Sequence, residues 1–210
     1  MDDLTSMARE ERLDFVDLLE QLSPQQWDQE TLCPGWRVRD VVAHVFSYED
    51  LSRADLARRF VRGRFSLNRI NQICLDEQAR KSPAELIALA RRCIQPRGLT
   101  AGFKGGIALV DGMVHQQDVR RPLGLPRVIP PQRLKAALDF AKTAPTIKGF
   151  WHRRGLRMVA TDLDWATGAG PEVRGTGEAL LLAIAGRHAT INELDGPGQP
   201  LLRRRLDPLP

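Results

Sequence analysis

The chain has 210 residues, of which 42% are apolar and 27% charged. That is ordinary globular usage with length enough for a sizeable core, and it excludes a disordered, collagen-like or coiled-coil chain. The net charge is +5, with arginine supplying 26 of the 31 basic residues. They are dispersed apart from Arg203-Arg204-Arg205, so the excess reads as a solvated surface favouring anionic small molecules over nucleic acid.

The first part reads as helices. Leu4, Met7, Ala8, Leu13, Phe15, Leu18, Leu19 and Leu22 recur near period 3.6. Ser23-Pro24-Gln25-Gln26 is a helix start signal, and Ser82-Pro83-Ala84-Glu85 repeats it, opening a helix through about Cys93. Cys33-Pro34-Gly35-Trp36 is a turn, with a long helix expected after it, from about Val38 to Arg62. Gln95-Pro96-Arg97-Gly98 breaks the chain. A further helix is expected from about Gly106 to Leu123, stopped by Gly124 and Pro126, and another over Gln132–Thr143. Beyond it the texture changes. Leu156–Thr161 reads as a strand, with Leu163–Trp165 and Glu172–Arg174 as further strands about the turn Gly168–Pro171. Glu178–Ala185 is an apolar helix stopped by Gly186. Leu201–Leu206 reads as a closing strand. The expected architecture is mainly α with an α+β C-terminal part: a helical bundle over residues 1–144 and a small α+β domain over 145–210.

No apolar run approaches the roughly 18 residues of a membrane span. The acidic start Met1-Asp2-Asp3-Leu4 has no basic and apolar signal segment. Cys33, Cys74 and Cys93 are odd in number and form no Cys-x-x-Cys pair, which argues against a disulfide scaffold or cysteine zinc site. A cytoplasmic protein without a membrane partner is therefore expected. Oligomeric state is not legible.

Chemistry gathers at the histidines. His44 shares a helix face with Asp40, which could simply orient it. Asp111 and His115 are one helical turn apart on one face. That pair is either an i,i+4 hydrogen bond or half of a metal site. Two imidazoles and one carboxylate form an ordinary catalytic zinc set with an open fourth position. No other three residues make a comparable set. Asp118 and Asp40 are candidate acceptors for the ring N–H groups. Cys33, beside a turn, reads as structural or inert. No nucleophile elbow, phosphate loop or dinucleotide fingerprint is present.

These residues carry a resemblance. Thr31-Leu32-Cys33-Pro34-Gly35-Trp36-Arg37-Val38-Arg39-Asp40-Val41-Val42-Ala43-His44 resembles the opening of the mycothiol-dependent maleylpyruvate isomerase family, within the DinB-like metal-binding superfamily. Val114-His115-Gln116-Gln117-Asp118-Val119-Arg120-Arg121-Pro122-Leu123-Gly124 is similar to its second motif. Val173–Arg187, followed by Leu194-Asp195-Gly196, is similar to its C-terminal segment. The resemblance implies a DinB-like four-helix bundle and a small α+β domain. It implies a divalent metal, usually zinc, at His44, Asp111 and His115, where the family acid is usually Glu. It further implies mycothiol as the thiol cosubstrate and an actinobacterial source.

The expected function is a metal-dependent thiol transferase or isomerase, with a metal-bound mycothiol-like thiolate attacking a small electrophilic molecule. Arg187 is the candidate catalytic residue, holding an anionic group of substrate or thiol; it reads equally as a helix-end cation. The alternative is a non-catalytic metal-binding protein of the same fold.

Overall fold

The computed structural model describes residues 3–49, 51–144 and 147–207. The chain divides into two compact units, Met1–Pro126 and Arg127–Pro210.

The first unit is helical: α1 (Leu4–Gln21), α2 (Val38–Phe46), α3 (Arg53–Arg62), α4 (Leu67–Gln78), α5 (Pro83–Arg92) and α6 (Gly106–Arg120). A bundle forms from α1, α2, α5 and α6, with α4 packed on α2. Phe15, Leu19, Val41, Val42, Val45, Phe46, Leu86, Leu89 and Val119 meet in one buried cluster. Burial of that apolar surface is the main favourable term. In α6 every residue from Met113 to Val119 is buried, polar ones included. A helix enclosed on all sides shows no clean apolar stripe, yet its sequence breaks marked it correctly.

The long helix expected over Val38–Arg62 is two helices. Asp55 N–H donates to the Ser52 hydroxyl at 3.1 Å, and Ser52 N–H donates to the Asp55 carboxylate at 3.3 Å. That reciprocal box starts a new helix at Arg53, so the first ends at Phe46. The sequence reading had no helix at α4, although Ile70, Cys74 and Leu75 are buried along it. Ser23-Pro24-Gln25-Gln26 opens only a short 3₁₀ turn, Gln26–Asp28, which buries Trp27.

The second unit contains α7 (Pro131–Ala141), α8 (Gly149–Arg153), β1 (Arg157–Ala160), β2 (Ala166–Thr167), β3 (Glu172–Gly175), α9 (Gly177–Ile184) and α10 (Gln199–Leu206). The sheet order is β2-β1-β3. β1 is antiparallel to β2, with Met158 opposite Thr167, and parallel to β3, with Met158 opposite Val173. The helix α9, buried apart from Glu178, packs on β1, β3 and α7, and Gly186 ends it at φ +88°.

Two expected strands are corrected. Leu201–Leu206 is not a strand but the body of α10, opened by Pro200 and burying Leu202 and Leu206 one turn apart. The second compact unit starts at Arg127, so that α7 counts with it. That helix packs on α9: a Cβ on Gly177 would come within 3.0 Å of Leu134 Cδ2. The expected strand Leu163–Trp165 is irregular, and the pairing residues are Ala166 and Thr167.

A buried ion pair ties the helical unit together. Arg12 on α1 pairs with Glu49, and both side chains are about 1% exposed. Arg12 also donates to the Cys93 carbonyl at 2.7 Å, and Glu49 accepts from Arg97 N–H at 2.6 Å. Removing one partner of such a pair leaves an uncompensated buried charge. Glu49→Ala is expected to destabilise the protein by about 3–5 kcal/mol, read from the urea midpoint. The double variant Arg12→Met with Glu49→Leu should recover much of that loss.

Candidate metal centre

Cys33-Pro34-Gly35-Trp36 is a β-turn closed by Trp36 N–H to the Cys33 carbonyl at 3.0 Å. Pro34 sits at its second position and Gly35, at φ +77°, at its third, as a type II turn requires. The turn delivers Trp36 and Cys33 to the entry of α2. Asp40, three residues into α2, accepts from Arg37 N–H at 2.9 Å. Asp40 therefore caps the helix, and its expected contact with His44 is replaced by this one. Val41, Val42 and Val45 sink into the core, while His44 keeps 13% of its side chain exposed.

His44 on α2 meets Asp111 and His115 on α6. His44 Nε2 lies 3.8 Å from Asp111 Oδ1, and His115 Nε2 lies 3.5 Å from the same oxygen. All three donor atoms are within 4.8 Å of one another. Asp111 is 29% exposed and gives the cluster its access to solvent. Behind His115, its Nδ1 is 2.9 Å from Oδ2 of Asp118, a carboxylate with no exposed surface. Asp118 thus fixes the ring and presents Nε2 to Asp111, as a supporting carboxylate does for a metal-ligating imidazole.

Aromatic rings wall the cluster. Trp36 lies 5.1 Å from the His44 ring and is stacked 6.3 Å from the His115 ring. Tyr48, one turn after His44, meets its ring edge-on at 5.7 Å and donates to Asn71 Oδ1 at 2.8 Å. Burial pushes the Tyr48 phenol well above its usual pKa. Trp36 is a wall residue, as the tryptophans read from the sequence, whereas the role of Tyr48 was missed; its i,i+4 spacing from His44 was the signal. Arg187 belongs to the second unit, where its guanidinium donates to the Ala185 carbonyl at 2.9 Å.

The charges are strongly coupled. Burial alone disfavours the Asp111 carboxylate, but the two imidazoles outweigh it and hold its pKa down to about 2. Burial likewise disfavours the His115 imidazolium, but the Asp111 charge and the Asp118 hydrogen bond raise it to about 10.

Two imidazoles and a carboxylate are a donor set that zinc takes. With bonds of about 2.0–2.1 Å, tetrahedral geometry puts neighbouring N and O ligands about 3.3 Å apart. The observed 3.5 and 3.8 Å are close to that spacing and long for direct hydrogen bonds. The short arm of Asp111 places its Oδ1 between both rings. A second set, Cys33, His115 and Asp118, also clusters. Its contacts are 2.9 Å for His115 Nδ1 to Asp118 and 3.1 Å for Cys33 Sγ to Asp118. Those are hydrogen-bonded lengths, shorter than the roughly 3.5 Å between S and O ligands of one zinc. The residues present fit an ion at His44, Asp111 and His115.

The sequence profile of the mycothiol maleylpyruvate isomerase N-terminal domain matches residues 8–137, more than half of the chain. The chain belongs to this family. Two solved structures share its fold, those of the mycothiol-dependent maleylpyruvate isomerase and of a mutant of it. They are 14% and 13% identical to this chain, each with a TM-score of 0.56 over 93% of this chain and 92% of theirs. At that identity the likeness shows the fold alone. Comparison with curated proteins finds no match.

Three outcomes test the ligand set. His115→Ala should lose more zinc than Asp118→Ala, measured as metal stoichiometry of the purified variants. Asp111→Glu should keep or raise zinc affinity, and Asp111→Asn should lower it, because the amide keeps the shape and loses the charge; equal affinity for Asn and Asp removes Asp111 from the set.

The pH dependence has a definite sign. The metal-free folded state raises the His115 pKa to about 10. Its stabilisation is full below the unfolded value near 6.5 and is lost as pH rises through the folded value. Zinc needs the neutral ring, so uptake at pH 7 releases a proton. Zinc affinity is expected to rise between pH 6 and 9, approaching about tenfold per pH unit. Calorimetry in buffers of different ionisation enthalpy reads the proton, and a flat profile contradicts the assignment.

Proposed function

We propose that the chain is a metal-dependent enzyme, an isomerase or S-transferase, that uses a mycothiol-like low-molecular-weight thiol on a small electrophile. The observation that carries this is the convergence of His44, Asp111 and His115, backed by the buried Asp118, in a chain of this family. A divalent ion, with zinc favoured by the donor types, supplies Lewis acidity when bound and lowers the pKa of a thiol placed beside it.

The chain's own residues set up that chemistry. Asp118 holds the proton on His115 Nδ1 and leaves the Nε2 lone pair for coordination. Asp111 brings one negative charge to offset the ion. Trp36 and Tyr48 cover the two rings and limit water around them. Three protein donors leave a position for thiol or substrate. Arg187 is proposed to hold an anionic group of the substrate or thiol.

The test is turnover. Purified protein with zinc and mycothiol is offered maleylpyruvate, the substrate named for the relatives, and a panel of other small electrophiles. The expected result is turnover that needs both thiol and zinc and is abolished in His44→Ala. Arg187→Ala should raise KM for an anionic substrate without changing zinc content. Zinc binding with no thiol-dependent turnover on any electrophile instead supports a non-catalytic metal-binding protein.

A further inference from the structure

We propose that Cys33 is a positioning residue of the metal centre: its thiol donates to the Asp118 carboxylate and so steadies the hold of that carboxylate on His115. The proposal deepens the functional reading and rests on His44, Asp111 and His115 being the ligands.

Three observations support it. Cys33 Sγ lies 3.1 Å from Asp118 Oδ2, the same oxygen that is 2.9 Å from His115 Nδ1. Sγ is also 3.7 Å from that nitrogen, but S–H and Nδ1–H are both donors to the same, nearer oxygen, so the main effect of the thiol on the ring runs through Asp118. The backbone around Cys33 is pinned where the contact needs it. Leu32 N–H donates to the Asp118 carbonyl at 3.1 Å, and Cys33 N–H donates to the Thr31 hydroxyl at 3.1 Å. The type II turn that follows fixes the direction in which Cys33 leaves the chain. The thiol is therefore placed by structure on both sides of it and is not a side chain that drifted into contact.

The physical need is clear from burial. Asp118 has no exposed surface. A buried carboxylate is costly unless several donors share its charge. With S–H and N–H on one oxygen, the carboxylate has a defined orientation, and the imidazole plane follows it. Without the thiol, Asp118 loses a donor in a dry site and turns to find another. His115 then loses part of its aim at Asp111 and His44. Serine keeps a donor at nearly the same place, whereas alanine does not. Cys33 is not itself a ligand in this arrangement, because its contact with Asp118 is too short to bracket an ion.

The experiment compares wild type, Cys33→Ser and Cys33→Ala by zinc competition titration. Two spectra accompany it: cobalt(II) substitution, and the His115 Nδ1 proton resonance in metal-free protein. Cys33→Ser is expected to bind zinc within about threefold of wild type, and Cys33→Ala about tenfold more weakly, at the lower end of losses for residues that support a ligand. The Nδ1 proton signal should broaden or shift in Cys33→Ala and be retained in Cys33→Ser. The cobalt spectrum should contain no sulfur-to-metal charge-transfer band. Two results overturn the proposal. One is Cys33→Ala binding zinc like wild type with an unchanged Nδ1 signal, even if the variant is less stable, which makes Cys33 a packing residue. The other is a charge-transfer band in wild type that is lost in Cys33→Ser, which makes Cys33 a ligand. Failure of the underlying reading looks different: His44→Ala and Asp111→Asn would then retain zinc whatever happens at Cys33.

Discussion

The Asp118 carboxylate is the constraint on which the centre depends. It is wholly buried, and it accepts from a helix residue three positions earlier and from the turn that precedes α2. Its own carbonyl also accepts the Leu32 N–H. One residue of α6 thereby registers the 31–36 segment against the helix that carries Asp111 and His115. Because α2 begins directly after that segment, the same contacts set where His44 emerges. The bundle core supplies most of the folding free energy, but it is tolerant of small shifts, and apolar packing alone does not aim an imidazole. Directional hydrogen bonds in a dry site do, because an error leaves a buried charge short of donors.

That division explains what the sequence could show. Helices with caps or strong breakers were legible: Ser82 and Glu85 marked α5, Gly186 marked the end of α9, and the glycines and prolines around 95–106 and 124–126 bracketed α6. The i,i+4 pair Asp111 and His115 was legible because helix geometry alone brings the two together. The partnership with His44 was legible only as a matter of residue chemistry, since nothing local relates α2 to α6. What failed was governed by tertiary context. The Ser52 and Asp55 box was hidden inside a pattern that looked continuously helical. Leu201–Leu206 looked strand-like until Leu202 and Leu206, four apart, found a common apolar face to bury. Cys33 looked inert because its partner is 85 residues away in sequence.

Charge is distributed unevenly between the two units. The first unit has 18 basic and 18 acidic residues and is neutral, whereas the second has 13 basic and 8 acidic and carries the whole excess. The basic residues are spread along the chain as expected, and their excess over acidic ones lies in the second unit. A neutral helical unit suits a metal centre. A strongly positive bundle would repel a divalent cation over several ångströms, and a strongly negative one would hold it without discrimination.

The same bookkeeping applies inside the cluster. Asp111 and Asp118 together carry two negative charges, and Arg12 and Glu49 cancel each other beside them. A divalent ion at the proposed site would offset the charge of those two carboxylates. The Asp111 charge and the Asp118 hydrogen bond favour the proton on His115, which is why that ring titrates far above an ordinary histidine. The raised His115 and the depressed Asp111 are therefore two views of one attraction. Two carboxylates and two imidazoles gathered in this way form a set whose charge a divalent ion would offset in exchange for the His115 proton, which is what the proposed metal site requires.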